Sequence, residues 1–120
     1  MGCDANALTH PAREEIELPA VLHALSDPIR LEIVRKLREC GDERRCGTFD
    51  VPVTKSTLTH HFRVLREAGV IRQRQDGTAR MTRLRTDDLE ARFPGVLEPI
   101  LRAAPPAVQA RPDLRAVGAA

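Results

Sequence analysis

The chain has 120 residues, a formal net charge of +2, and only three Phe with no Trp or Tyr. That length suits one domain with a modest, aliphatic core and no need of cross-links. No stretch approaches the roughly eighteen apolar residues of a membrane span, and no charged-then-apolar leader is present, so the expected location is the cytoplasm with no membrane partner.

Residues 1–15, with Gly2, Asn6 and Pro11, carry no period and are expected to form a flexible N-terminal arm. Leu18, Val21, Leu22 and Leu25 then recur at helical spacing, with Pro19 tolerated in the first turn, and predict a short amphipathic helix. Asp27 can cap the next helix and Pro28 suits its first position. Ile29, Ile33, Val34 and Leu37 make its apolar stripe, and Gly41 ends it. Residues 40–53 (CGDERRCGTFDVPV) leave room for little more than one turn around Thr48-Phe49-Asp50. Phe49 is expected to anchor that segment in the core.

The stretch from Thr54 to Gly69 (TKSTLTHHFRVLREAG) carries signals for both ends of one helix. Thr54 can accept from an orphan backbone N–H of the first turn. Val53 and Leu58 have the spacing of a hydrophobic staple, and Leu65, Gly69 and Val70 that of a Schellman ending. Leu58, Phe62 and Leu65 share a core-facing stripe flanked by His61 and Ala68. The opposite face gathers Ser56, Thr59, His60 and Arg63, with Lys55 at one edge, groups that donate hydrogen bonds to phosphates and base edges; Thr57 is a further candidate DNA contact. A merely solvated face would alternate Glu and Lys, yet Glu67 is the single acid on this helix.

Val70 to Gln75 and Ala79 to Arg85 flank Asp76-Gly77-Thr78, a hairpin signal. Arg72, Arg74 and Arg80 on this β-ribbon are further candidate DNA contacts. Thr86 or Asp87 can cap a last helix, which Phe93-Pro94-Gly95 must kink or split. Leu18, Leu22, Leu89, Phe93 and Leu97 form more apolar surface than a small monomer is expected to cover, so a homodimer is expected. Residues 16–102 are thus read as one folded unit, and the Ala- and Pro-rich 103–120 as a disordered tail.

Charge is unevenly placed: residues 53–85 hold eight Lys or Arg against two acids, a segment charge of +6 that leaves −4 on the flanks. This is an electrostatic footprint for a polyanion. The words LSDPIRLEIVRKL, KSTLTHHFRVLREAGVI and RQDGTARMTRL, from Leu25 to about Arg85, resemble the arsenical-resistance repressor (ArsR) family of bacterial winged helix-turn-helix transcription factors. The resemblance implies a mainly α fold with a small β-hairpin and a recognition helix at 54–69. It further implies a homodimeric repressor on a double-stranded DNA operator.

The same resemblance raises metal or thiol sensing, for which Cys40 and Cys46 are the candidates. Their five-residue separation exceeds the x₂₋₄ spacing of zinc sites, and no Cys-x-Cys pair of the kind carried by soft-metal sensors is present. The last helix offers Asp87 and Asp88 but no His. Arg44 and Arg45 beside Cys46 favour a thiolate, so thiol-redox sensing is the alternative; no cofactor is expected. A winged helix used for protein–protein contact is an alternative of another class. No Gly-x-Ser-x-Gly elbow, phosphate-cradling loop or His-Glu-x-x-His helix suggests an enzyme.

Overall fold

A computed structural model describes residues 8–41, 43–45, 49 and 51–104, with Arg44 and Arg45 described in backbone only. A 3-10 turn, Arg13–Glu15, leads into α1 (Leu18–Ala24) and α2 (Pro28–Cys40). A two-residue strand β1 (Arg44–Arg45) precedes α3 (Lys55–Ala68) and the hairpin β2 (Ile71–Asp76) and β3 (Ala79–Leu84). Helices α4 (Thr86–Arg92) and α5 (Leu97–Ala103) complete the described fold, a winged helix-turn-helix.

The helix boundaries follow from local chemistry. Asp27 caps α2, its carboxylate accepting from the N–H groups of Ile29 at 2.8 Å and Arg30 at 3.2 Å. Gly41, at φ 76°, ends α2 in the left-handed region. α3 closes with a Schellman pattern, Val70 N–H donating to Leu65 O at 3.0 Å and Gly69 N–H to Arg66 O at 3.1 Å. Gly69 is required twice over: its φ is +89°, and a Cβ there would sit 2.6 Å from Cγ1 of the buried Ile16.

The sheet order is β1-β3-β2, all antiparallel. Asp76 pairs with Ala79, so Gly77-Thr78 is a two-residue turn with Gly77 at φ 64°. β1 was not anticipated, because two residues are too few to show an alternation. Phe49 is buried and meets Phe62 edge-on, ring centroids 5.3 Å apart, as its anchoring role requires. The helical turn expected around Thr48-Phe49-Asp50 lies outside the described residues.

Two expectations about the C-terminal part are corrected. α4 has Arg85 at its N-cap with no side-chain cap bond, in place of Thr86 or Asp87. Asp88 in the first turn is instead engaged by the Arg85 and Arg13 guanidiniums, each at 2.7 Å. The apolar surplus is also smaller than expected. The chain turns at Phe93-Pro94-Gly95 and folds α5 back against α2. Leu89, Leu97 and Leu101 are therefore buried within the protomer and Phe93 is half-buried, leaving Leu18 and Leu22 as the exposed large apolar side chains among the described residues.

A buried arginine joins the first three helices. Arg30 donates to Ala24 O at 2.7 Å and His23 O at 3.4 Å at the end of α1, and its Nη1 lies 3.1 Å from His61 Nδ1 on α3. A guanidinium only donates, so Nδ1 must be the unprotonated nitrogen and His61 is neutral. Burial first, and then Arg30, lower the His61 pKa from 6.5, with Asp27 opposing. His10 is lowered for similar reasons, burial first and then Arg72, and its Nε2 accepts the Gln73 N–H at 2.9 Å.

Both imidazoles thus bind protons more readily in the unfolded chain, so stability falls as pH drops below 6.5 and goes on falling until the lowered native values are passed. The depressed carboxylates Glu43 and Asp88 titrate below 4.5 and 3.8 respectively, outside this window. Urea midpoints measured between about pH 7.5 and about pH 5 should fall steadily, and the fall should flatten in a His10→Gln/His61→Gln variant, which keeps the acceptors without the titration. Midpoints independent of pH over this range would contradict the assignment.

Candidate nucleic-acid interface

α3 presents two chemically distinct faces. His61, Phe62, Leu65 and Ala68 are buried, and Leu58 and Val64 pack half-buried against the same core. Lys55, Ser56, Thr57, Thr59, His60 and Arg63 are all exposed; helical spacing places Ser56, Thr59, His60 and Arg63 on the open face, with Lys55 at one edge and Thr57 at the other.

Their hydroxyls are already oriented. Thr54 Oγ1 accepts the Thr57 N–H at 3.2 Å and donates to Thr57 Oγ1 at 2.9 Å, which holds the first turn. Thr59 Oγ1 donates to Lys55 O at 3.0 Å, leaving its lone pairs as acceptors toward solvent. His60 points outward while its neighbour His61 points into the core, the ring centroids 5.9 Å apart.

The hairpin divides the arginine candidates between its two faces. Gln73 and Thr82 pair across the strands, as do Gln75 and Arg80, and these side chains share the face on which Ile71 and Leu84 are buried. Arg72 and Arg83 form an opposed pair on the other face, where Arg74 lies opposite Met81. Arg74 is committed there: Nε and Nη2 reach the two Glu43 carboxylate oxygens at 2.7 Å each. That hydrogen bond lowers the Glu43 pKa and raises that of Arg74. The structure therefore does not bring Arg72 and Arg74 onto the same surface as Arg80.

Arg66 links α3 to the wing, a role the sequence did not reveal. Its Nη1 donates to Gln73 Oε1 at 2.8 Å, and Gln73 Nε2 donates to Thr82 Oγ1 at 3.1 Å. Gln73 and Thr82 are buried, Thr82 completely. Burial, followed by the nearby Arg80 guanidinium, lowers the Arg66 pKa, and Arg66 Nε has no acceptor among the described residues. The available signal was the polar pair Gln73 and Thr82 at positions whose alternation with Ile71 and Leu84 puts them inside; Glu43, in a segment without period, gave none.

Cys40 is exposed, its Sγ 3.7 Å from the Glu43 carbonyl oxygen, while Cys46 lies outside the described residues. Among the described residues no three His, Cys, Asp or Glu side chains are grouped to hold a metal ion, and no helix is long and apolar enough to cross a membrane.

Because Arg66, Gln73 and Thr82 act as one chain, their truncations should not add. Arg66→Met and Gln73→Leu should each destabilise by about 1–3 kcal/mol. In urea unfolding the double variant should lose about 1 kcal/mol less than the sum of the two. Strict additivity would show that the groups are independent.

Residues 27–73 match the family described as bacterial regulatory protein, arsR family. The chain is 39% identical over 80 residues to the HTH-type transcriptional regulator YceK of Bacillus subtilis, covering 65% of this chain and 80% of that one. It is 33% identical over 75 residues to the arsenical resistance operon repressor of Staphylococcus xylosus, covering 62% and 71%. Among solved structures, the transcriptional repressor BigR from Xylella fastidiosa superposes with a TM-score of 0.52 at 27% identity, over 69% of this chain and 97% of that one. With a winged helix-turn-helix in place and Lys55 and Arg63 exposed on α3, the chain belongs to the ArsR family of DNA-binding transcriptional regulators.

Proposed function

We propose that the chain is a dimeric repressor that lays the exposed face of α3 in the major groove of its operator. The observation that carries this reading is the exposed face of α3 that gathers Ser56, Thr59, His60 and Arg63, with Lys55 at one edge and Thr57 at the other, and no acid among these six. Thr59 and His60 are assigned to base edges, and Lys55 and Arg63 to phosphates. Arg80 joins them from the wing. It stands close enough to Arg66 for each to feel the other's charge, and a phosphate at that corner would relieve the repulsion.

Arg72 and Arg74 are left outside this contact set. Arg74 would have to give up Glu43 to reach a phosphate. The Arg72–Arg83 row stands four residues back from the Asp76–Ala79 row at the tip, roughly 13 Å along the ribbon. The folded unit of 16–102 is proposed to dimerise through α1, where Leu18 and Leu22 are 36% and 46% exposed; a second copy is the partner that would bury them. The operator is double-stranded DNA, read by two α3 helices about one helical turn apart.

With Lys55, Arg63 and Arg80 contributing from each protomer, a dimer neutralises about six phosphates and its log–log salt slope should be roughly −5. Arg80→Ala should make that slope shallower by about two, and Arg72→Ala should leave it unchanged. Thr59→Ala and His60→Ala should narrow the gap between the best site and random DNA by about 1–3 kcal/mol. Affinity that is flat with salt would overturn the electrostatic assignment, and equal weakening on all sequences would take base reading away from Thr59 and His60.

A further inference from the structure

An open groove of about 640 Å³ lies between the outer face of the β2–β3 ribbon, the C-terminal turn of α2 and the α4–α5 pair. None of its lining residues belongs to α3. Arg72 and Arg83 line it from directly opposed positions on the two strands. Like charges so placed destabilise a strand pair, and the row would gain from an anion laid across it.

The carboxylates of the groove are mostly committed elsewhere. Asp88 accepts from Arg13 Nε through Oδ1 and from Arg85 Nε through Oδ2, each at 2.7 Å, while Arg72 comes no nearer to it than 3.9 Å. Burial opposes ionisation of Asp88, but these hydrogen bonds outweigh it and keep its pKa low. Glu98 is paired with Arg38, and Glu90 accepts the Gly95 N–H at 3.3 Å. Asp87, exposed in the first turn of α4, is the remaining acid. Among the described residues the Arg83 guanidinium makes no hydrogen bond or ion pair; it acts on Glu43 through space, and Arg74 already holds that carboxylate. Two exposed guanidiniums are therefore left with open donors in one groove.

We propose that this groove binds a small organic dianion whose carboxylate or phosphate oxygens bridge Arg72 and Arg83. Opposed side chains on paired strands have Cβ atoms about 5 Å apart, so two planar guanidinium forks can converge on one such ligand, each offering paired N–H donors. The groove walls come from the wing, α2 and α4–α5, and a bound dianion would tie the base of the ribbon to the last two helices.

Calorimetric titration of the full chain with inorganic phosphate and with malonate, at constant ionic strength and without DNA, tests this directly. Saturable binding of at least one of the two is expected. It should weaken roughly tenfold in Arg72→Gln and in Arg83→Gln, each of which removes one charge-assisted fork, and vanish in the double variant. Arg102→Gln, at an exposed position outside the groove lining, should bind like the unaltered chain. Melting supplies a second readout: the bound anion should raise the melting temperature of the unaltered chain and leave that of the double variant unmoved. No saturable heat with either anion, or equal binding by the double variant, overturns the proposal. DNA is absent from the titration, so neither result depends on the operator reading.

Discussion

The position of the wing relative to α3 depends on one short chain of side chains: Arg66 on α3, Gln73 on β2 and Thr82 on β3. An apolar contact at this junction would bury area without fixing an angle, whereas hydrogen bonds of fixed length fix both distance and direction. The arrangement carries an electrostatic penalty, because Arg66 is partly desolvated beside Arg80. It is tolerated because Gln73 reaches several neighbours: its amide joins Arg66 to Thr82 while its backbone N–H, on the outer edge of β2 in the order β1-β3-β2, donates to His10. That last bond also covers a group that would otherwise invite strand pairing from another molecule.

A second constraint acts at the far side of α3. Arg30 holds the end of α1 through two backbone carbonyls and meets His61 on α3, while Ile16 fills the space that Gly69 leaves open. Arg92 in turn donates to the Ile16 carbonyl at 2.6 and 3.2 Å. Helix α3 is therefore held at its C-terminal end and along its inner face, and its outer face is left exposed. Polar anchors recur wherever direction matters, and the aliphatic core supplies the bulk of the burial.

The sequence was most informative where signals were local. Thr54, Gly69 and the Leu58–Phe62–Leu65 stripe located α3 to within a residue, and Gly77 located the turn of the hairpin. Asp27 and Gly41 did the same for α2. Features built from distant partners were not visible. Glu43 meets Arg74 from 31 positions away and His10 meets Gln73 from 63, and no periodicity encodes such pairs. Leu89 and Leu97 read as surplus along the linear sequence, but the chain doubles back at Gly95 and buries them within the protomer. Of the nine DNA-contact candidates, Ser56, Thr59, His60 and Arg63 share a face of α3, with Lys55 and Thr57 at its edges, because helical spacing is a reliable geometric rule. The three on the wing do not, because strand alternation sends Arg72 and Arg74 to one side and Arg80 to the other.

Selection of bound sequences from random duplex DNA tests the central claim, that two rigid helix-and-wing units read an operator together. The account predicts a consensus with two inverted half-sites whose centres lie about 34 Å apart, one turn of the duplex, on a single face. Enrichment of a lone, asymmetric half-site would contradict the dimeric reading, and no enrichment at all would contradict sequence-specific recognition by α3.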